Sequence, residues 1–92
     1  IAVEAQRIFF TAYPNPFQEE VTVNFALPQT QEVALKVFDS YGREISTLFQ
    51  GEAKSQQNYE VKWQARQQAS GIYLLQLQTG TLRQMQKVLL YR

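Results

Sequence analysis

Few groups in this chain could do chemistry, and their spacing works against it. Eight carboxylates and nine basic side chains are scattered over 92 residues, and histidine and cysteine are both absent. Ser–His and Cys–His nucleophile pairs, imidazole metal sites and thiolate metal sites are therefore excluded. Glu19 and Glu20 are adjacent carboxylates, but neighbours on a strand point to opposite faces and make a poor acid/base couple. No stretch supplies the closely spaced oxygen ligands of a calcium loop. The single aspartate, Asp39, precedes Ser40-Tyr41-Gly42, where a short carboxylate accepts hydrogen bonds from backbone amides two residues on. That is turn chemistry. Trp63 and the tyrosines could form a carbohydrate platform, yet Trp63 alternates in phase with Val61 and Tyr59, as a core residue does. Catalytic residues, a cofactor and a metal are not expected.

The elements that carry these side chains read as strands. Arg7–Tyr13 is rich in β-branched and aromatic residues. In the run from Val21 to Leu27, Val21, Val23, Phe25 and Leu27 fall on one face; Val33, Leu35 and Val37 do the same in the next. Further strands are predicted over Arg43–Phe49, Tyr59–Trp63, Gly71–Gln78 and Met85–Tyr91, with turn residues between them. About seven short strands at hairpin spacing predict an all-β fold, an antiparallel sandwich. Residues 64–69 have helix-forming composition but are too short for a stable helix and read as a loop. Gln76, Gln78, Gln84 and Gln86 are placed to face one another across the last hairpin.

Composition is consistent with one such domain. Hydrophobic residues make up 45% of the chain, enough for a core, and charged residues only 18%, so a disordered tail is excluded. A formal charge of +1 carries no footprint of a nucleic-acid or membrane-surface binder. The apolar runs fall far short of the ~20 residues a membrane span needs. The chain starts at Ile1 rather than Met, as expected of a piece of a longer protein.

Three short strings punctuate the strands. In Tyr13-Pro14-Asn15-Pro16-Phe17, each proline restricts itself and the residue before it, predicting a stiff extended corner whose aromatics plug the end of the core. In Asp39-Ser40-Tyr41-Gly42-Arg43, Gly42 supplies positive φ at the end of a tight hairpin loop. In Ser70-Gly71-Ile72-Tyr73, Gly71 opens a strand where the backbone approaches a neighbour closely or turns sharply. Each string alone has a complete structural explanation. Their order and spacing, followed by a terminal Lys87-Val88-Leu89-Leu90-Tyr91-Arg92, resemble the type A C-terminal sorting domain of the bacterial type IX secretion system. The resemblance runs from about Tyr13 to Arg92. It rests on Pro14, Asn15 and Pro16, on Asp39, Gly42 and Arg43, on Gly71 and Tyr73, and on Lys87 with the aliphatics after it. One departure is visible: relatives often carry glycine just before the tryptophan strand, where this chain has Ser55–Tyr59, and Asn58 is the residue expected to take up the left-handed backbone.

The resemblance implies an immunoglobulin-like β-sandwich that acts as an address and not as a catalyst. It divides the chain into residues 1–12, a linker and first strand joining an upstream cargo domain, and residues 13–92, the sorting domain. It implies export through the periplasm to the surface of a Gram-negative bacterium, recognition by an outer-membrane translocon, and removal by a sortase-type peptidase. Lys87, Val88, Leu89, Leu90, Tyr91 and Arg92 are the expected recognition segment. Neither nucleic acid nor membrane insertion is expected. The alternatives are an immunoglobulin-like interaction module resembling that of the flagellar hook-capping protein, or a carbohydrate-binding accessory to an extracellular enzyme.

Overall fold

The computed structural model describes residues 8–92; Arg7, expected to open the first strand, lies outside them. Seven strands follow in chain order: β1 (Phe9–Tyr13), β2 (Glu20–Ala26), β3 (Gln31–Asp39), β4 (Glu44–Ala53), β5 (Tyr59–Gln64), β6 (Gly71–Thr79) and β7 (Arg83–Leu90). They form two antiparallel sheets, ordered β1-β2-β5 and β4-β3-β6-β7. The chain changes sheet between β2 and β3, β4 and β5, and β5 and β6, which gives the Greek-key connectivity of an immunoglobulin-type sandwich.

The alternation read along each strand sets which residues meet between the sheets. Val21, Val23, Phe25, Leu35, Val37, Leu75 and Val88 are fully buried, with Trp63 and Tyr73 nearly so. Val61 and Tyr59 are partly buried against this core. Aliphatic side chains fill the middle, and an aromatic triad closes each end. Phe25, Phe49 and Tyr59 lie with ring centroids 5.2–5.5 Å apart at one end. At the other, Trp63 lies 5.8 Å from Phe17 and 5.4 Å from Tyr73. Such tilted and stacked pairs add to the burial of the rings themselves. Trp63 is 5% exposed; it is core, so the carbohydrate platform loses its central residue.

Of residues 64–69, Gln64 ends β5 and the rest make a turn and not a helix, with the Gln68 N–H donating to the Ala65 carbonyl at 3.2 Å. The positive φ before β5 falls on Gln56, at 58°, and not on Asn58. Asn58 instead donates through its side chain to Asn24 Oδ1 at 3.2 Å, and Asn24 donates to the Tyr13 hydroxyl at 3.1 Å. This polar cluster covers the outer face of β2 and keeps Asn24 satisfied at 8% exposure. The glutamines do not form one row. Register pairs Gln76 with Met85 and Gln78 with Arg83, whereas Gln84 and Gln86 pair with Leu77 and Leu75. The reason is the turn between β6 and β7, where the Thr79 N–H donates to the Leu82 carbonyl at 2.8 Å. That turn fixes the register, and a one-residue slip puts each side chain on the opposite face. Gln86 uses its inward position to donate to the Phe10 carbonyl at 2.9 Å.

Gly42 has φ +86° and nothing within 4 Å of where a Cβ would stand. Backbone conformation, not space, demands glycine there. Gly42→Val is expected to destabilise the domain by about 1 kcal/mol or more. An unchanged melting temperature would show that the loop tolerates a different turn. Gly71 is similar: its φ is +154° and no atom lies within 4 Å of a Cβ, so of the close approach and the sharp turn expected as alternatives there, the backbone angle and not a close neighbour is the constraint.

Candidate functional site

The sequence strings that lie far apart in the chain meet at one end of the sandwich. Antiparallel register sets Asp39, at the end of β3, beside Tyr73 near the start of β6, and Tyr73 beside Val88 near the end of β7. Gly71 pairs with Leu90. The Tyr13–Phe17 corner then crosses from the first sheet to the outer edge of β7.

That crossing explains the proline–asparagine–proline pattern. A segment leaving the β1–β2 ladder must give up ladder hydrogen bonds, and a proline has no N–H to lose. The corner bends through residues 14–16 instead of running extended, and both X–Pro peptide bonds in it are cis. Between the prolines, the Asn15 carboxamide replaces a peptide group. Its Nδ2 donates to the Lys87 carbonyl at 2.8 Å, and its Oδ1 accepts from the Leu89 N–H at 3.0 Å. Phe17 continues the pairing with real backbone: its N–H donates to the Leu89 carbonyl at 2.9 Å, and its carbonyl accepts from the Tyr91 N–H at 3.0 Å. The Phe17 ring is the plug expected of the corner, at 1% exposure, whereas Tyr13 stays 52% exposed.

The hairpin string is an anion-centred turn. Asp39 Oδ1 accepts from the Tyr41 and Arg43 N–H groups, both at 2.9 Å, and Oδ2 accepts from Arg43 Nε at 2.8 Å. The Gly42 N–H closes the loop on the Asp39 carbonyl at 3.0 Å. Arg43 also lies over the exposed Tyr41 ring, 5.5 Å from its centroid. The Arg43 N–H holds the Asp39 carboxyl below its ordinary pKa; burial opposes this, and the Arg43 guanidinium and Tyr41 N–H reinforce it. A carboxylate with a depressed folded-state pKa contributes stability that is complete above its unfolded value and lost as pH falls through the folded one. Asp39→Asn is therefore expected to lower the melting temperature at pH 7, with the gap to the parent closing below about pH 4. A gap constant from neutral to acid pH would rule out the carboxylate as its source.

The Tyr73 hydroxyl donates to the Ala69 carbonyl at 2.6 Å. This is the tyrosine corner of immunoglobulin-type sandwiches, which fixes the turn before the strand. Arg92 secures the same turn from the other side. Its backbone N–H donates to Ser70 Oγ at 3.1 Å, its Nε to the Gln68 carbonyl at 3.0 Å, and its Nη2 to the Ala65 carbonyl.

Within the terminal segment, side chains divide by face. Val88 and Leu90 are fully buried, while Lys87, Leu89, Tyr91 and Arg92 are exposed. Only the exposed ones are available to a partner. The backbone edge from Lys87 to Tyr91 is largely used by Asn15 and Phe17. The strings themselves, and the bonding of Asp39 to amides two residues on, are legible in the chain; that the strings touch one another, and that Ala65, Gln68, Ala69 and Ser70 serve as their acceptors, is not. Those act through backbone groups or a small hydroxyl, which leave little mark on a sequence. A groove of about 380 Å³ runs between the 39–43 hairpin and the 68–73 turn. Among the described residues, no group of three acidic side chains could hold a metal ion.

Residues 11–91 match the family described as secretion system C-terminal sorting domain. No curated protein and no solved structure matches the chain.

Proposed function

Since the chain belongs to the family of C-terminal sorting domains of the type IX secretion system, we propose that its terminal segment, Lys87–Arg92, is what the export machinery reads. The domain is a sorting signal that acts with that machinery on an attached cargo. In this reading, residues 1–12 supply a linker and the first strand that join the cargo to a sorting domain over 13–92, whose sandwich takes in that strand. An outer-membrane translocon recognises the folded domain, a sortase-type peptidase removes it, and the cargo reaches the surface of a Gram-negative cell. The domain itself does no chemistry.

The observation that carries this reading is the Asn15 clamp. It holds the backbone of Lys87 and Leu89 through a side chain 72–74 residues away in sequence. Two of the most distinctive strings are thus one unit, whose effect is to fix the terminal segment in a single extended pose. A pre-ordered segment loses less conformational freedom on recognition than a mobile one.

The test fuses residues 1–92 to a periplasmic reporter in a type IX-competent host. The parent fusion is expected at the cell surface. Lys87→Ala removes an exposed side chain without touching the Asn15 contact to the Lys87 carbonyl, so it should change stability by less than about 0.5 kcal/mol. Its reporter is expected to accumulate in the periplasm with a folded domain attached. Normal delivery of Lys87→Ala would remove Lys87 from the signal. Deleting Tyr91 and Arg92 is a poorer probe, because Arg92 braces the 65–70 turn.

A further inference from the structure

The outer face of the four-stranded sheet is divided. Toward the β6–β7 turn it is polar, carrying Gln76, Gln78, Ala34 and Gln50, with Arg83 opposite Gln78. Toward the motif-bearing end it turns apolar. Ile72 pairs with Leu89, Leu74 lies between Phe38 and Lys87, and Met85 follows on β7. Ile72, Met85 and Leu89 are 44%, 48% and 41% exposed. The other sheet shows no such band, since Asn24, Tyr13 and Asn58 bond across its outer face. Large side chains held out to water side by side mark an interaction surface.

We infer that this apolar half-face, centred on Ile72 and Leu89 and extending beyond the terminal segment onto β6 and β3, docks an acidic, apolar-centred protein surface of the export machinery. The inference rests on the sorting function proposed above. Charge selects the partner. Lys36 is paired with Glu44 at 3.4 Å, but Lys87 and Arg83 have no carboxylate in ion-pair range among the described residues. Stacking the face on a second copy would set Lys87 and Arg83 against like charges, which is unfavourable. A lipid-headgroup patch uses roughly 4–8 basic residues, and two cations fall short of that. The mode of docking follows from the clamp. Asn15 and Phe17 occupy the β7 edge from Lys87 to Tyr91, so strand addition is blocked there and the partner reads side chains.

Two measurements on the reporter fusion test this. Ile72→Ser with Met85→Ser removes exposed apolar contact outside or at the margin of the terminal segment. Surface delivery is expected to fall about tenfold, the change that ~1.4 kcal/mol produces, while Phe9→Ser, an equally exposed aromatic on the other sheet, leaves delivery intact. A photo-crosslinking amino acid at Ile72 in living cells should join the domain to an outer-membrane component of the secretion system, at a peptide containing Asp or Glu. Lys87→Glu should abolish that adduct. Parent-level delivery of the double variant overturns the half-face but leaves the terminal signal standing, whereas failure of the parent fusion to reach the surface would instead refute the sorting reading. An adduct to a second copy, to lipid, or to nothing also overturns the half-face.

Discussion

Trp63→Ala is expected to lower the unfolding free energy by about 3–5 kcal/mol, the range for truncating a large buried aromatic. Trp63 lies between Phe17 at 5.8 Å and Tyr73 at 5.4 Å, and its removal leaves both rings facing a void. The surrounding backbone has little room to collapse. Phe17 is held to β7 by two hydrogen bonds, and Tyr73 by its tyrosine-corner bond to Ala69. Small domains have roughly 5–15 kcal/mol in total, so the variant should unfold at markedly lower urea concentration. A midpoint within error of the parent would show that the ring is not part of the core.

Phe17→Ala is expected to cost a similar amount, about 3–5 kcal/mol, but with a local signature that Trp63→Ala lacks. The Phe17 ring anchors the corner that supplies the outer hydrogen bonds of Leu89 and Tyr91. Without the anchor those bonds should open more often than the rest of β7. Amide hydrogen exchange at Leu89 and Tyr91 should therefore quicken more than at Leu75 in the middle of β6. Leu75→Ala, a buried aliphatic truncation of about 2–5 kcal/mol, serves as the control in which protection falls evenly. Even loss of protection in Phe17→Ala would mean that the corner and the terminal strand open only with the whole domain. Selective loss would make the corner a determinant of how the sorting segment is displayed.

Much of this was open to a reading of the chain. Period-two alternation marks strands because side chains on a pleated ribbon point to opposite faces, and that property is local. Val21, Val23 and Phe25 on β2 and Leu35 and Val37 on β3 were assignable to the core for that reason alone. Gly42 was assignable to positive φ because a tight hairpin loop demands it wherever it occurs. The absence of histidine and cysteine removed whole classes of chemistry at once. Register was not local. It placed Gln84 and Gln86 opposite Leu77 and Leu75 through a turn whose geometry the residues 80–82 do not announce. Pairing across long separations was equally invisible. Asn15 reads as a residue restricted by the proline after it in a stiff corner, and its carboxamide becomes a surrogate peptide group only when folding brings Lys87 and Leu89 beside it. Arg92 reads as part of the recognition segment, and only the fold brings the three acceptors of the 65–70 turn to it. The sequence alone determined the strands, the core faces and the family; the tertiary structure decided which strings share one end of the sandwich, because hydrogen bonds across it depend on distance in space and not along the chain.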